Sequence, residues 1–134
     1  MQLTPSLVIF QTNTSVLTFS PLPIMPLHLI LLSKSSTRKF YSLSPEIFTD
    51  LQLIIKKFSK KFDGFTINIS VGNLAGQKDD RNIWIDILIR KENDTDTEAV
   101  IRTNRGLDIV YKNLDVELTE EYKKEIAEDL KKLF

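Results

Sequence analysis

Between Ile47 and Phe62 the apolar residues recur at helical spacing. Ile47, Phe48, Leu51, Ile54, Ile55, Phe58 and Phe62 gather on one side, and Lys56, Lys57, Lys60 and Lys61 occupy the other. The pattern predicts an amphipathic helix over 45–62. Ser44-Pro45-Glu46 supports its start with an N-capping hydroxyl, a proline where no amide donor is needed, and an acid beside the positive end of the helix. Asp63-Gly64 supplies its stop. Leu53 falls among the lysines and is expected to be exposed.

After Gly64 the period changes from 3.6 to two. Phe65, Ile67, Ile69 and Val71 alternate with Thr66, Asn68 and Ser70, which predicts a strand with one buried face. In the next strand Ile83, Ile85, Ile87 and Ile89 form one face, while Trp84, Asp86 and Leu88 form the other. Such a strand is expected to be central and covered on both sides, which makes Asp86 the most unusual carboxylate of the chain. Glu98–Thr103 and Leu107–Lys112 flank Asn104-Arg105-Gly106 and read as a tight hairpin. Thr119 caps a final helix with Glu120 and Glu121 in its first turn and Tyr122, Ile126, Leu130 and Leu133 on its apolar face. With Leu27–Leu32 as a further strand, the order predicts an α+β fold, an antiparallel sheet of about four to five strands flanked by two amphipathic helices.

Charge placement changes this picture at one end. No Asp, Glu, Lys or Arg occurs from Met1 to Ser33. The break divides the chain into a charge-free leader, 1–24, and a single α+β domain, 25–134. The leader carries two strand-like patches, Leu7–Phe10 and Val16–Phe19, around a polar Gln11–Ser15 turn. Three outcomes are open for it: disorder, a hairpin docked on the domain, or a native start at Met25 that leaves it out. It has no basic residue ahead of its apolar stretch, which argues against a secretory signal. Pro5, Pro21, Pro23 and Pro26 interrupt any helix laid across a membrane. The chain contains no cysteine, so disulfides and thiolate sites are excluded and a cytoplasmic location is the expectation.

Candidate chemistry is sparse. The lone histidine, His28, stands in an apolar stretch with no acid near it in sequence and is expected to be structural. One histidine and no cysteine leave no basis for a zinc centre or a cysteine–histidine nucleophile pair. Asp79, Asp80 and Asp86, with Lys78 or Lys91, suit a metal-dependent nuclease, and the helix, strand and acidic strand are loosely similar to restriction-endonuclease-like cores. The following strand, Glu98-Ala99-Val100-Ile101-Arg102, lacks the acid and lysine two residues apart that such cores carry. Gly72–Gln77 precedes a strand rather than a helix and so lacks the helix N-terminus of a phosphate loop. No cofactor is expected.

Three functions fit these residues, in order. First is a noncatalytic interaction domain that binds another protein or associates with itself through the Trp84 and Leu88 face or the leader. Second is a nucleic-acid-binding protein using the basic face of the 45–62 helix. There Arg38, Lys39, Lys56, Lys57, Lys60 and Lys61 supply charge while Phe40 and Tyr41 supply stacking surfaces. Four strands and a closing helix are similar in outline to a family of single-strand-binding domains. Third is the nuclease-like enzyme. The expected partners are an unknown protein, a second copy or a nucleic acid, and no membrane.

Overall fold

A computed structural model describes residues 3–77, 81–92 and 119–134. The predicted 98–112 hairpin, Lys78, Asp79 and Asp80 lie outside the described residues. Elements appear in the order β1 (Phe10–Gln11), β2 (Ser15–Phe19), β3 (His28–Ser33), α1 (Glu46–Phe58), β4 (Gly64–Ile69), β5 (Trp84–Arg90) and α2 (Glu120–Lys131). The five strands form one sheet in the order β1-β2-β3-β5-β4, and every neighbouring pair is antiparallel. The fold is therefore α+β, and β5 is an inner strand as its two-faced sequence implies.

The leader, 1–24, contributes β1 and β2 to this sheet. A polar turn joins them, with Thr12 N–H donating to the Ser15 carbonyl at 2.9 Å. The Thr12 and Ser15 hydroxyls each donate to Asp50 Oδ2 at 2.6 Å, which fastens the turn to α1. On its other side β2 pairs with β3 through five residue pairs from Ser15 opposite Ser33 to Phe19 opposite Leu29.

One face of the sheet carries the main core. Leu17 and Phe19 of β2, Leu29 and Leu31 of β3, and Ile85, Ile87 and Ile89 of β5 meet Ile47, Ile54 and Phe58 of α1 and Ala127 and Leu130 of α2. Burying each large side chain of this set is worth about 1.5–3 kcal/mol. The C-terminal Phe134 closes the layer, stacked on Phe10 with centroids 4.4 Å apart and edge-on to Phe58 at 5.7 Å.

Local details depart from the periodic pattern in three places. α1 ends at Phe58, and Lys60, Lys61 and Phe62 form a turn whose amides bond to the carbonyls of Lys57 and Phe58. Ile67 is 44% exposed on β4, which is an edge strand among the described residues. Tyr122 is 49% exposed, and Ala127 takes the buried place on α2 instead. Leu53 is exposed as expected. Thr119 caps α2 by accepting the Tyr122 N–H at 3.1 Å. Among the described residues, no helix is long and apolar enough to cross a membrane.

Candidate functional site

The second face of the sheet holds the polar groups that periodicity alone leaves scattered. Along β5 the side chains of Trp84, Asp86, Leu88 and Arg90 alternate away from the isoleucine core. The register sets Asp86 opposite Ile30 of β3 on one side and Asn68 of β4 on the other. His28 of β3, opposite Leu88, reaches along the sheet to Asp86.

His28 and Asp86 form the centre of this face. Nε2 of His28 lies 2.8 Å from Oδ1 of Asp86, although 58 residues separate them in sequence. The two side chains are 2% and 14% exposed. The other ring nitrogen, Nδ1, accepts the Ile24 backbone N–H at 3.2 Å. An N–H can only donate, so the ring proton sits on Nε2 and is given to the carboxylate. The bond has a local origin: Pro21, Pro23 and Pro26 punctuate the β2–β3 connection, and Ile24 in its middle carries a buried amide that needs an acceptor.

Asp86 is held on its other oxygen as well. Asn68 Nδ2 donates to Oδ2 at 3.3 Å and to Ser70 Oγ at 3.2 Å. Arg90 Nη1 donates to Thr66 Oγ1 at 3.0 Å, which places a guanidinium on the same face four residues beyond Asp86. Trp84 lies two residues before it and is half-buried. From Trp84 to Arg90 the strand spans about 20 Å at the usual rise of a β-strand. Hydrogen-bond acceptors and donors, an indole and a cation are thus set in a row on a rigid inner strand.

The end of this strand is tied into the neighbouring loops. Asn82 Nδ2 donates to the Ser33 carbonyl at 2.8 Å, and Gly72 N–H donates to Gln77 Oε1 at 2.8 Å. Gln77 Nε2 reaches the Arg38 carbonyl, also at 2.8 Å. Gly72 and Gly76 have φ of 86° and 75°, conformations that favour glycine, and they shape the loop that Gln77 closes.

The residues singled out for a basic interface fall into two groups. Arg38, Lys39, Phe40 and Tyr41 precede α1, where Phe40 packs edge-on against Phe48 at 5.9 Å and Lys39 Nζ lies 5.7 Å from the Tyr41 ring centre. Lys56 and Lys57 are in the last turn of α1, with Lys60 and Lys61 just past it. Phe48 and Lys56 are eight positions apart, so about 12 Å of helix separates the groups. Among the described residues, no three His, Cys, Asp or Glu gather where they can share a metal ion. A cavity of about 140 Å³ between the Pro5–Leu7 turn, the end of β2 and the start of α2 is lined by Thr4, Leu7, Thr18, Phe19, Ser20, Pro21, Glu120 and Lys123. It contains none of the residues of the polar row and falls short of the roughly 300 Å³ at which small-molecule pockets begin.

No protein-family model matches the sequence, and no curated protein matches it. Solved structures do. The C. elegans NitFhit protein superposes with a TM-score of 0.66 at 18% identity over 96% of this chain, which spans only 27% of that protein. Plasmodium falciparum diadenosine triphosphate hydrolase, in complex with cyclomarin A, gives 0.61 at 23% identity over 97% of this chain and 77% of its own. A hypothetical histidine triad nucleotide-binding protein from Sulfolobus tokodaii gives 0.66 at 14% identity over 95% of this chain and 82% of its own. These likenesses correct the expectation of an interaction domain for protein binding or self-association, because the fold is one used by a nucleotide hydrolase and a nucleotide-binding protein. A physical reason is visible in the sheet: β2, the longer strand of the leader expected to add to a partner, already has neighbours on both sides. Across nearly its whole length the chain shares the fold of histidine triad proteins.

Proposed function

We propose that this chain binds a nucleotide on the second face of its sheet, along the row from Trp84 to Arg90. The supporting observation is the fold, shared over 95–97% of the chain with a diadenosine triphosphate hydrolase and a histidine triad nucleotide-binding protein. A nucleotide offers an aromatic base, a ribose diol and a negatively charged phosphate. An indole suits the first by stacking, which is worth about 1–3 kcal/mol per base. The carboxylate of Asp86, already oriented by His28 and Asn68, accepts hydrogen bonds from hydroxyl or amino groups and repels phosphate. The Arg90 guanidinium, the cation of the row, suits phosphate. Base and ribose therefore sit toward Trp84 and Asp86, with phosphate toward Arg90. The cysteine-free composition suits a nucleotide-rich reducing cytoplasm, where we place the protein.

Isothermal titration calorimetry with AMP, ADP and diadenosine triphosphate, and with adenosine as the unphosphorylated control, tests this. Saturable one-site heat is expected, weakened by Arg90→Gln for the phosphorylated ligands more than for adenosine. No heat with any of the three, from protein that melts cooperatively, refutes the proposal. A single-stranded RNA oligonucleotide in the same titration separates mononucleotide binding from polymer binding through Lys56, Lys57, Lys60 and Lys61, since only the latter falls steeply with salt.

A further inference from the structure

We infer that nucleotide held by this chain leaves it uncleaved, because the chain has no histidine able to act on a phosphate. This rests on the proposed nucleotide binding and concerns the fate of the bound phosphates. Two of the matching folds bear the names histidine triad protein and diadenosine triphosphate hydrolase, yet this sequence contains one histidine. No set of three histidines comes from this chain, including the residues outside the described segments.

The single histidine is also chemically committed. To attack phosphorus or to take a proton from water, an imidazole must turn an unshared nitrogen lone pair toward the reacting group. The only such lone pair of His28, on Nδ1, receives the Ile24 N–H, and Nε2 carries the proton donated to Asp86. The residue is 2% exposed, and both contacts are made with the sheet and its own connection. Releasing either nitrogen leaves a buried amide or a largely buried carboxylate without its partner. His28 is thus a positioning residue, which joins the β2–β3 connection to Asp86.

There is no cysteine, and a serine or threonine hydroxyl needs a neighbouring base that His28 cannot supply. Asp86 has each carboxylate oxygen engaged, one by His28 and one by Asn68. Binding and turnover, joined in a hydrolase, are here separated by side-chain chemistry rather than by fold.

The test is equilibrium dialysis of the full chain against diadenosine triphosphate, with and without magnesium chloride, and anion-exchange chromatography of the recovered nucleotide. The expected result is retention of nucleotide by the protein, with AMP and ADP forming at the rate of the protein-free control. AMP and ADP formed in proportion to protein, and surviving a further purification step, overturn the inference while leaving nucleotide binding intact. Absence of retention removes the binding proposal and this inference with it, and is distinguished from the previous outcome by the dialysis alone.

Discussion

Replacing His28 by leucine puts an apolar side chain of moderate size in a 2% exposed position and deletes two hydrogen bonds. The bond to the Asp86 carboxylate belongs to the charge-assisted class, worth about 1.5–3 kcal/mol. The Ile24 amide loses its acceptor inside the protein, a further loss of about 1–3 kcal/mol. Water offsets part of the first loss, because Asp86 is 14% exposed and keeps Asn68 as a donor. The apolar leucine offsets part of the second. The net destabilisation is therefore about 2–4 kcal/mol. In urea, at a mid-range slope for a small domain of about 2 kcal/mol per molar, the midpoint falls by about 1–2 M with the slope unchanged. Asp86→Ala and the double variant complete a mutant cycle, in which residues in contact couple by about 0.5–3 kcal/mol. A midpoint equal to the parent's, or full additivity in the cycle, refutes the idea that this pair ties the β2–β3 connection to β5.

Three other substitutions probe the fold at independent places. Asp50→Ala removes the shared acceptor of the Thr12 and Ser15 hydroxyls and leaves the fully buried Ser15 side chain unsatisfied, so stability in urea falls by about 1–3 kcal/mol. Phe134→Ala removes the ring between Phe10 and Phe58; as Phe134 is partly buried, the loss is about 1–3 kcal/mol, below the full range for a core phenylalanine, and is read from the thermal midpoint. The Ser44 hydroxyl, which donates to Glu46, and then a backbone hydrogen bond hold the Glu46 carboxyl below its ordinary value. Since the folded-state value is depressed, its contribution to stability is present above the unfolded value and is lost as pH falls through the folded one. An NMR titration of Glu46 is expected to show a midpoint below that of an unperturbed glutamate, moving upward in Ser44→Ala.

Much of the fold is legible because it is written in short-range patterns. The seven apolar residues from Ile47 to Phe62, the isoleucines of β5 and the Thr119 cap each specify an element within one window of sequence. Errors arise at ends and edges. Nothing in the spacing of Phe58 and Phe62 distinguishes a helix that continues from one that tightens into a turn. The exposure of Ile67 goes with β4 having, among the described residues, a neighbour on one side only, which is a property of the sheet and not of the strand. The site is less legible still. Asp86 stands out through its place among isoleucines, but its partner His28 is on β3, two strands earlier in the chain and adjacent only in space. Asn68 carries a weak signal: it is a polar residue on a strand that pairs with β5, and the register setting it opposite Asp86 depends on a connection whose length periodicity does not read. The fold likeness, at 14–23% identity, lies in the arrangement of elements, and no family model matches the sequence.

Nitrogen-15 NMR of the labelled chain during titration with AMP tests nucleotide binding and its location together. Saturable shifts are expected at the Trp84 indole, at Asn68 and Asp86 and at Arg90, with the isoleucine face of β5 changing little. Shifts absent at saturating AMP, or confined to Lys39–Tyr41 and Lys56–Lys61, contradict a nucleotide site on the second face of the sheet.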